Sequence, residues 1–79
     1  MDYLIYKKND DADEFNCITS KSTMISVRNG SDGVYAIGIV SNEMGVEVVL
    51  NYEDCSKKEF NKAYQTVFDK VHKSWTKVK

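Results

Sequence analysis

Apolar side chains recur along the last third of the chain with the period of an α-helix. Phe60, Tyr64, Val67, Phe68, Val71, Trp75 and Val78 follow one another mostly at three- and four-residue steps. At about 100° per residue they gather on one arc. Lys58, Lys62, Lys70, Lys73 and Lys77 fall on the opposite arc. Ser56 stands where an N-cap is expected, and Glu59 three residues on completes a capping box. The spacing therefore predicts one amphipathic helix over 56–78, laid by its aromatic arc on the rest of the domain. Full burial of each large side chain there is worth about 1.5–3 kcal/mol.

Ahead of the helix the pattern changes to strands. Tyr3 to Lys8 is β-favouring with a charged end. Asn9 to Glu14 is an acidic turn. Phe15 to Thr19 alternates Phe15, Cys17 and Thr19 against Asn16 and Ile18, although residues 10–19 also accommodate a short helix. Thr23 to Arg28 alternates again, and Asn29 to Gly33 is a loop with two glycines suited to positive φ. Val34 to Val40 is the most apolar segment. Asn42 to Gly45 reads as a hairpin connection with Gly45 in the left-handed region, followed by a last strand, Val46 to Tyr52. Connections this short favour an antiparallel meander over parallel crossovers. The expected fold class is α+β: one domain over residues 1–79, a small antiparallel sheet of four or five strands, and a single C-terminal amphipathic helix packed on one face.

The strand Val34 to Val40 is apolar on both sides. Val34, Ala36 and Val40 point one way, and Tyr35, Ile37 and Ile39 point the other. A half-exposed strand alternates, whereas a strand buried on both faces reads as a continuous apolar run. Val48-Val49-Leu50 repeats the feature. A lone helix covers one face only, so the second face calls for a further cover: a second copy of the chain in a homodimer, a partner protein, or the loop from Asn9 to Ser22. Tyr35, Ile37, Ile39 and Val49 are the candidate interface, and Gly38 in mid-strand is a candidate bulge or close approach.

Charge and chemistry narrow the function. Residues 1–54 carry four basic against ten acidic side chains, and residues 55–79 carry seven lysines against two acids. The result is an acidic body joined to a basic helix. Lys58, Lys62, Lys70, Lys73 and Lys77 form the candidate basic surface. Two cysteines do not make a disulfide framework. Cys17 reads as a small buried hydrophobe, and Cys55 lacks a neighbouring base that would activate it. His72 is the only histidine, so no zinc ligand set is present. The acidic run Asp10 to Glu14 lacks the glycine and terminal glutamate of an EF-hand loop. No glycine-rich phosphate loop follows a strand. No cofactor, metal site or catalytic set is expected, and the chain is not expected to be an enzyme. No apolar run approaches a signal-peptide core or a membrane span, which leads to the expectation of a soluble, cytoplasmic protein without a membrane partner.

Two function classes follow, and the sequence does not separate the first from a third, a structural or assembly protein. One is a small non-catalytic protein-binding module: an inhibitor, an antitoxin-like factor or a regulatory accessory factor of phage type. It would meet a protein partner or itself through the second sheet face. The other is a nucleic-acid-binding protein. It would use the lysine stripe, or an open sheet face with Tyr3, Tyr6 or Tyr35 as stacking platforms. A single arginine, a pI near 5.7 and the absence of a ribonucleoprotein motif weigh against the second.

Overall fold

The computed structural model describes residues 4–30 and 33–78. Tyr3, assigned from sequence to the first strand, lies outside them, as do Ser31 and Asp32 of the glycine loop. The elements run β1 (Ile5–Asn9), β2 (Glu14–Ser20), β3 (Thr23–Asn29), β4 (Tyr35–Ser41), α1 (Glu43–Val49), β5 (Glu53–Asp54) and α2 (Lys57–Val78). The five strands form one antiparallel sheet in the order β4-β3-β2-β1-β5. The α+β class and the C-terminal helix are as the sequence predicts. Residues 14–20 are strand, and 10–13 form the turn before it. Ala12 N–H donates to the Asn9 carbonyl, and Asp13 takes φ 50, a conformation that aspartate tolerates better than most residues.

Each face of the sheet carries an apolar row running straight across the strands, because cross-strand partners point the same way. On one face Ile5, Ile18, Met24 and Val40 are successive partners. On the other, Tyr6, Cys17, Ile25 and Ile39 form one row, with Phe15, Val27 and Ile37 in the next. A bulge lies between Ile18 and Ser20 of β2. Gly38 pairs regularly with Ser26, so it does not mark the bulge that its mid-strand position suggested.

The first row is covered by a helix where the sequence pattern implied a strand. Residues 43–49, which take in most of the expected hairpin connection Asn42 to Gly45 and the first part of the expected strand Val46 to Tyr52, are helical, and Asn42 is their N-cap. Its side chain accepts from the Met44 and Gly45 N–H groups. Gly45 sits inside this helix, and only Gly30 and Gly33 take positive φ among the described glycines. The physical reason is topological. The chain must travel from β4 at one edge to β5 at the other, and it does so over the sheet. Val46 and Val49, three residues apart, bury against Ile18 and Met24, with Ile5, Val40 and Tyr52 around them. Burial of this row outweighs the β preference of a valine-rich run. The cover over the second face is therefore in good part α1, not the loop from Asn9 to Ser22.

Below α1 the same face turns polar. Asn16 is fully buried, donating to Glu14 Oε2 at 3.0 Å and accepting from Ser26 Oγ at 2.8 Å. A buried amide is tolerated when its hydrogen bonds are made.

From β5 the chain returns over the opposite face as α2. Ser56 Oγ accepts from the Glu59 N–H at 3.0 Å, and Glu59 Oε1 accepts from the Ser56 N–H at 3.2 Å, completing the capping box. Phe60, Ala63 and Val67 bury against Cys17 and Val27, flanked by Tyr6, Phe15, Ile25, Ile37 and Cys55. The helix thus crosses from above β1 toward β4. Its second half does not bury: Phe68, Val71, Trp75 and Val78 are exposed. A 22-residue helix is about 33 Å long, whereas four strands span only about 15 Å between the first and last axes. The apolar arc is longer than the face beneath it.

This division of the helix is testable by urea unfolding at low protein concentration. Phe60→Ala removes a buried ring and is expected to cost about 3–5 kcal/mol. Trp75→Ala is expected to cost less than about 1 kcal/mol, as an exposed substitution does. Equal losses would place Trp75 in the core instead.

Candidate protein-docking surface

The aromatic residues of α2 form a ladder. Tyr6 packs on Phe60 with ring centroids 5.6 Å apart, Phe60 on Tyr64 at 6.3 Å, Tyr64 on Phe68 at 6.3 Å, and Phe68 on His72 at 6.0 Å. Residues four apart on a helix stand one above the other, so the spacing 60-64-68-72 generates the ladder directly. Its first ring is buried and the later ones emerge. Trp75 lies within about 20° of Phe68 around the helix axis, at 100° per residue, and extends the same flank.

This flank walls an open trough in the sheet. Tyr64 lines it together with Ile25, Ile37, Gly38 and Ile39. The trough exists because α2 runs diagonally. The row Tyr6, Cys17, Ile25 and Ile39 is covered at its β1 and β2 end and left bare at its β4 end. Ile39 is 76% exposed, Trp75 56% and Phe68 47%. Among the described residues no lysine, arginine or carboxylate lines the trough. Exposed apolar surface that is contiguous, rather than scattered, is the usual mark of an interaction site.

Tyr35 lies on the other flank of α2, where it lines a separate cavity with Lys70, Val71, Lys73 and Ser74 and two contacts hold its ring. Gly30 lies so close beneath it that any Cβ there would collide with the ring, and Gly30 has φ 77. Lys70 Nζ sits 4.9 Å from the ring centroid on the helix side, a cation–π contact. Lys58, Lys62, Lys70, Lys73 and Lys77 are all exposed on the side of α2 away from the trough. Asp69 and Glu59 interrupt them on the same helix.

The structure redistributes the residues read from sequence as an interface. Tyr35, Ile37 and Ile39 lie on the α2 face of the sheet, not on a face opposite the helix. Ile39 is open, Tyr35 is partly held by Lys70 and Gly30, and Ile37 packs against the core under α2. Val49 is buried on the sheet-facing side of α1 and belongs to neither surface. The correction has one cause: α1 takes the face that the pattern left empty, and the diagonal course of α2 leaves its own face half bare. Ile25, Tyr64, Phe68 and Trp75 join the surface instead. From periodicity alone they read as core, since the helical arc that carries them also carries Phe60 and Val67.

The remaining reactive side chains are quiet. Burial pushes the Cys17 thiol up, against a smaller opposing effect of its hydrogen bond with Tyr6. Burial, and after it the nearby Glu59 carboxylate, pushes Cys55 up as well. Both thiols are therefore held protonated rather than primed as nucleophiles. Among the described residues no three His, Cys, Asp or Glu side chains are placed to share a metal ion, and no helix is long and apolar enough to cross a membrane.

No family model, curated protein or solved structure matches the chain.

The start of α2 is tied to the sheet by an ion pair. Lys8 Nζ lies 3.1 Å from Glu59 Oε2 and 3.8 Å from Asp10 Oδ1. The Ser56 backbone N–H, and after it the Lys8 ammonium, hold the Glu59 carboxyl below the usual glutamate range. The hydrogen bond to Glu59, and then the charge of Asp10, raise Lys8 above the usual lysine range. A lowered carboxylate adds stability above its unfolded pKa and loses it as pH falls through the folded value. A raised lysine adds stability below its unfolded pKa and loses it as pH rises through the folded value. Stability is thus expected to fall at both ends, below the ordinary glutamate range and above the ordinary lysine range. Glu59→Gln should flatten the acid limb in a pH series of thermal melts, and an unchanged limb would show that the pair does not couple helix to sheet.

Proposed function

We propose that the protein is a small non-catalytic protein-binding module that docks its partner on the trough of Ile25 and Ile39 and the aromatic flank of α2. The observation that carries this reading is the exposure of Ile39 in a trough bordered by Tyr64, whose ring stacks on the exposed Phe68, with no charged side chain in the trough lining among the described residues. Aromatic side chains held on a rigid helix are suited to anchoring an interface, because they bring a large contact area and lose little conformational freedom on binding. The acidic body and basic helix would orient an approaching partner rather than supply its affinity. An inhibitor or a regulatory accessory factor fits this arrangement, since it acts by occupying a surface and needs no reacting group.

The test is photocrosslinking inside cells from a photoreactive amino acid at position 68. It should yield a discrete crosslinked protein species, while the same probe at position 62, on the lysine side, or at position 44, on the exposed side of α1, should not. Equal products from all three positions, or none from 68, would refute the trough as the docking site.

A second reading is supported by the grouping of Lys58, Lys62, Lys70, Lys73 and Lys77 on the solvent side of α2: a surface for the nucleic-acid backbone. Each phosphate contact releases counterions, so such binding weakens steeply with salt and is indifferent to sequence. Titration of labelled single- and double-stranded DNA and RNA at low salt distinguishes the two. On the protein-binding reading no micromolar complex forms. On the second, one forms and disappears when Lys62, Lys70 and Lys73 are replaced by glutamine.

A further inference from the structure

We infer that the occupant of the trough is a second copy of this chain, joined through antiparallel pairing of β4 with β4 about Gly38. The inference rests on the protein-binding reading and narrows it to one partner. The two edges of the sheet are unlike. β5 is two residues long, Glu53 and Asp54, and its short acidic run blunts it against further pairing. β4 is seven residues long, Tyr-Ala-Ile-Gly-Ile-Val-Ser, with no charge, no lysine and no proline. Among the described strands none pairs with its outer side. A long uncharged edge leaves a row of backbone donors and acceptors available to another strand.

Pairing about Gly38 sets Ile37 of one copy opposite Ile39 of the other, and Tyr35 opposite Ser41. Directly opposed residues point to the same face. Both α2 helices therefore lie on one face of a ten-stranded sheet, and the open trough of each copy runs into that of the other. Because Tyr64 borders the trough that contains Gly38, the two aromatic flanks turn toward the two-fold axis. Lys70 and Lys73 stand beside Tyr35, three residues from Gly38 along β4, so their two copies fall at opposite ends of the seam and self-association brings no cluster of like charges to the axis. An isologous contact needs a patch complementary to itself, and an uncharged strand edge beside an apolar trough meets that condition.

The area is sufficient. Tyr35, Ile39, Tyr64, Phe68, Val71 and Trp75 are all at least one-third exposed. If all their exposed surface were covered they would contribute at most about 600 Å² per chain, given full aromatic areas of about 150–250 Å². With the backbone of the β4 edge this approaches about 800 Å² per partner, the size of a standard specific interface.

Sedimentation equilibrium over a wide concentration range, paired with amide hydrogen exchange, tests the inference. The wild type should sediment at twice the 9.0 kDa chain mass, with the amides of 36–40 protected in a concentration-dependent way. Ile39→Lys should keep a native circular dichroism spectrum, because Ile39 is exposed. It should raise the dimer dissociation constant roughly 30-fold or more, the scale of a central interface residue, and lose the β4 protection. Phe68→Lys should act in the same direction, and Lys62→Gln should leave the dimer unchanged. A wild type that is monomeric at every concentration overturns the inference, as does an Ile39→Lys dimer of undiminished strength or a dimer without β4 protection. With a monomeric wild type, a crosslink from position 68 to a different protein leaves the protein-binding reading standing. No crosslink at all removes both.

Discussion

Apolar rows on both faces of one thin sheet are the constraint on which the structure depends. Ile5, Ile18, Met24 and Val40 on one side, and Tyr6, Cys17, Ile25 and Ile39 on the other, each need a cover. A small domain has little chain with which to provide two covers, and burial of these rows is its main source of stability. The solution is to use the connections themselves. The passage from β4 to β5 becomes α1 over one face, and the passage from β5 back toward β4 becomes α2 over the other. The strand order β4-β3-β2-β1-β5 is what sends both passages across the sheet instead of along its rim.

The two covers are unequal, and the inequality creates the surface. α1 is short and meets a single row, below which the face is polar and closes on the Asn16, Glu14 and Ser26 hydrogen bonds. α2 is long and diagonal. It fills the space over Cys17 and Val27, then carries its apolar arc beyond the area it covers, leaving Ile39 bare beside Tyr64 and leaving Phe68 and Trp75 exposed. The stability of the first half of α2 and the exposure of the second arise from the same arc of residues. The capping box and the Lys8–Glu59 pair set where that arc begins. They thereby set which turns reach the core.

Placement of charge follows the same geometry. The lysines occupy the side of α2 away from the trough, where they keep the helix solvated without entering the apolar surface. From that side Lys70 reaches over the Tyr35 ring, which Gly30 supports from below. One end of β4 is thus held in place while Ile39, toward the other end, is left open.

Much of the local structure was legible in the residues. The capping box Ser56 and Glu59 and the recurrence from Phe60 to Val78 located α2. The alternation of Phe15 and Cys17 against Asn16 and Ile18, and the second alternation from Thr23 to Arg28, located β2 and β3. These signals are local: a cap is a hydrogen bond within one turn, and a period is a property of one element. Residues 43–49 were misread because Val46, Val49 and Leu50 satisfy a helical spacing while their β-branched neighbours satisfy a strand, and no local term separates the two. Only the need to cross the sheet from β4 to β5 chose the helix. The interface residues were misplaced for a related reason. Periodicity states which side of α2 is apolar, but not how far the sheet extends beneath it. The burial of Val67 and the exposure of Trp75, eight residues apart on one arc, were decided by the angle at which helix and sheet cross, which arises only when the whole chain is packed.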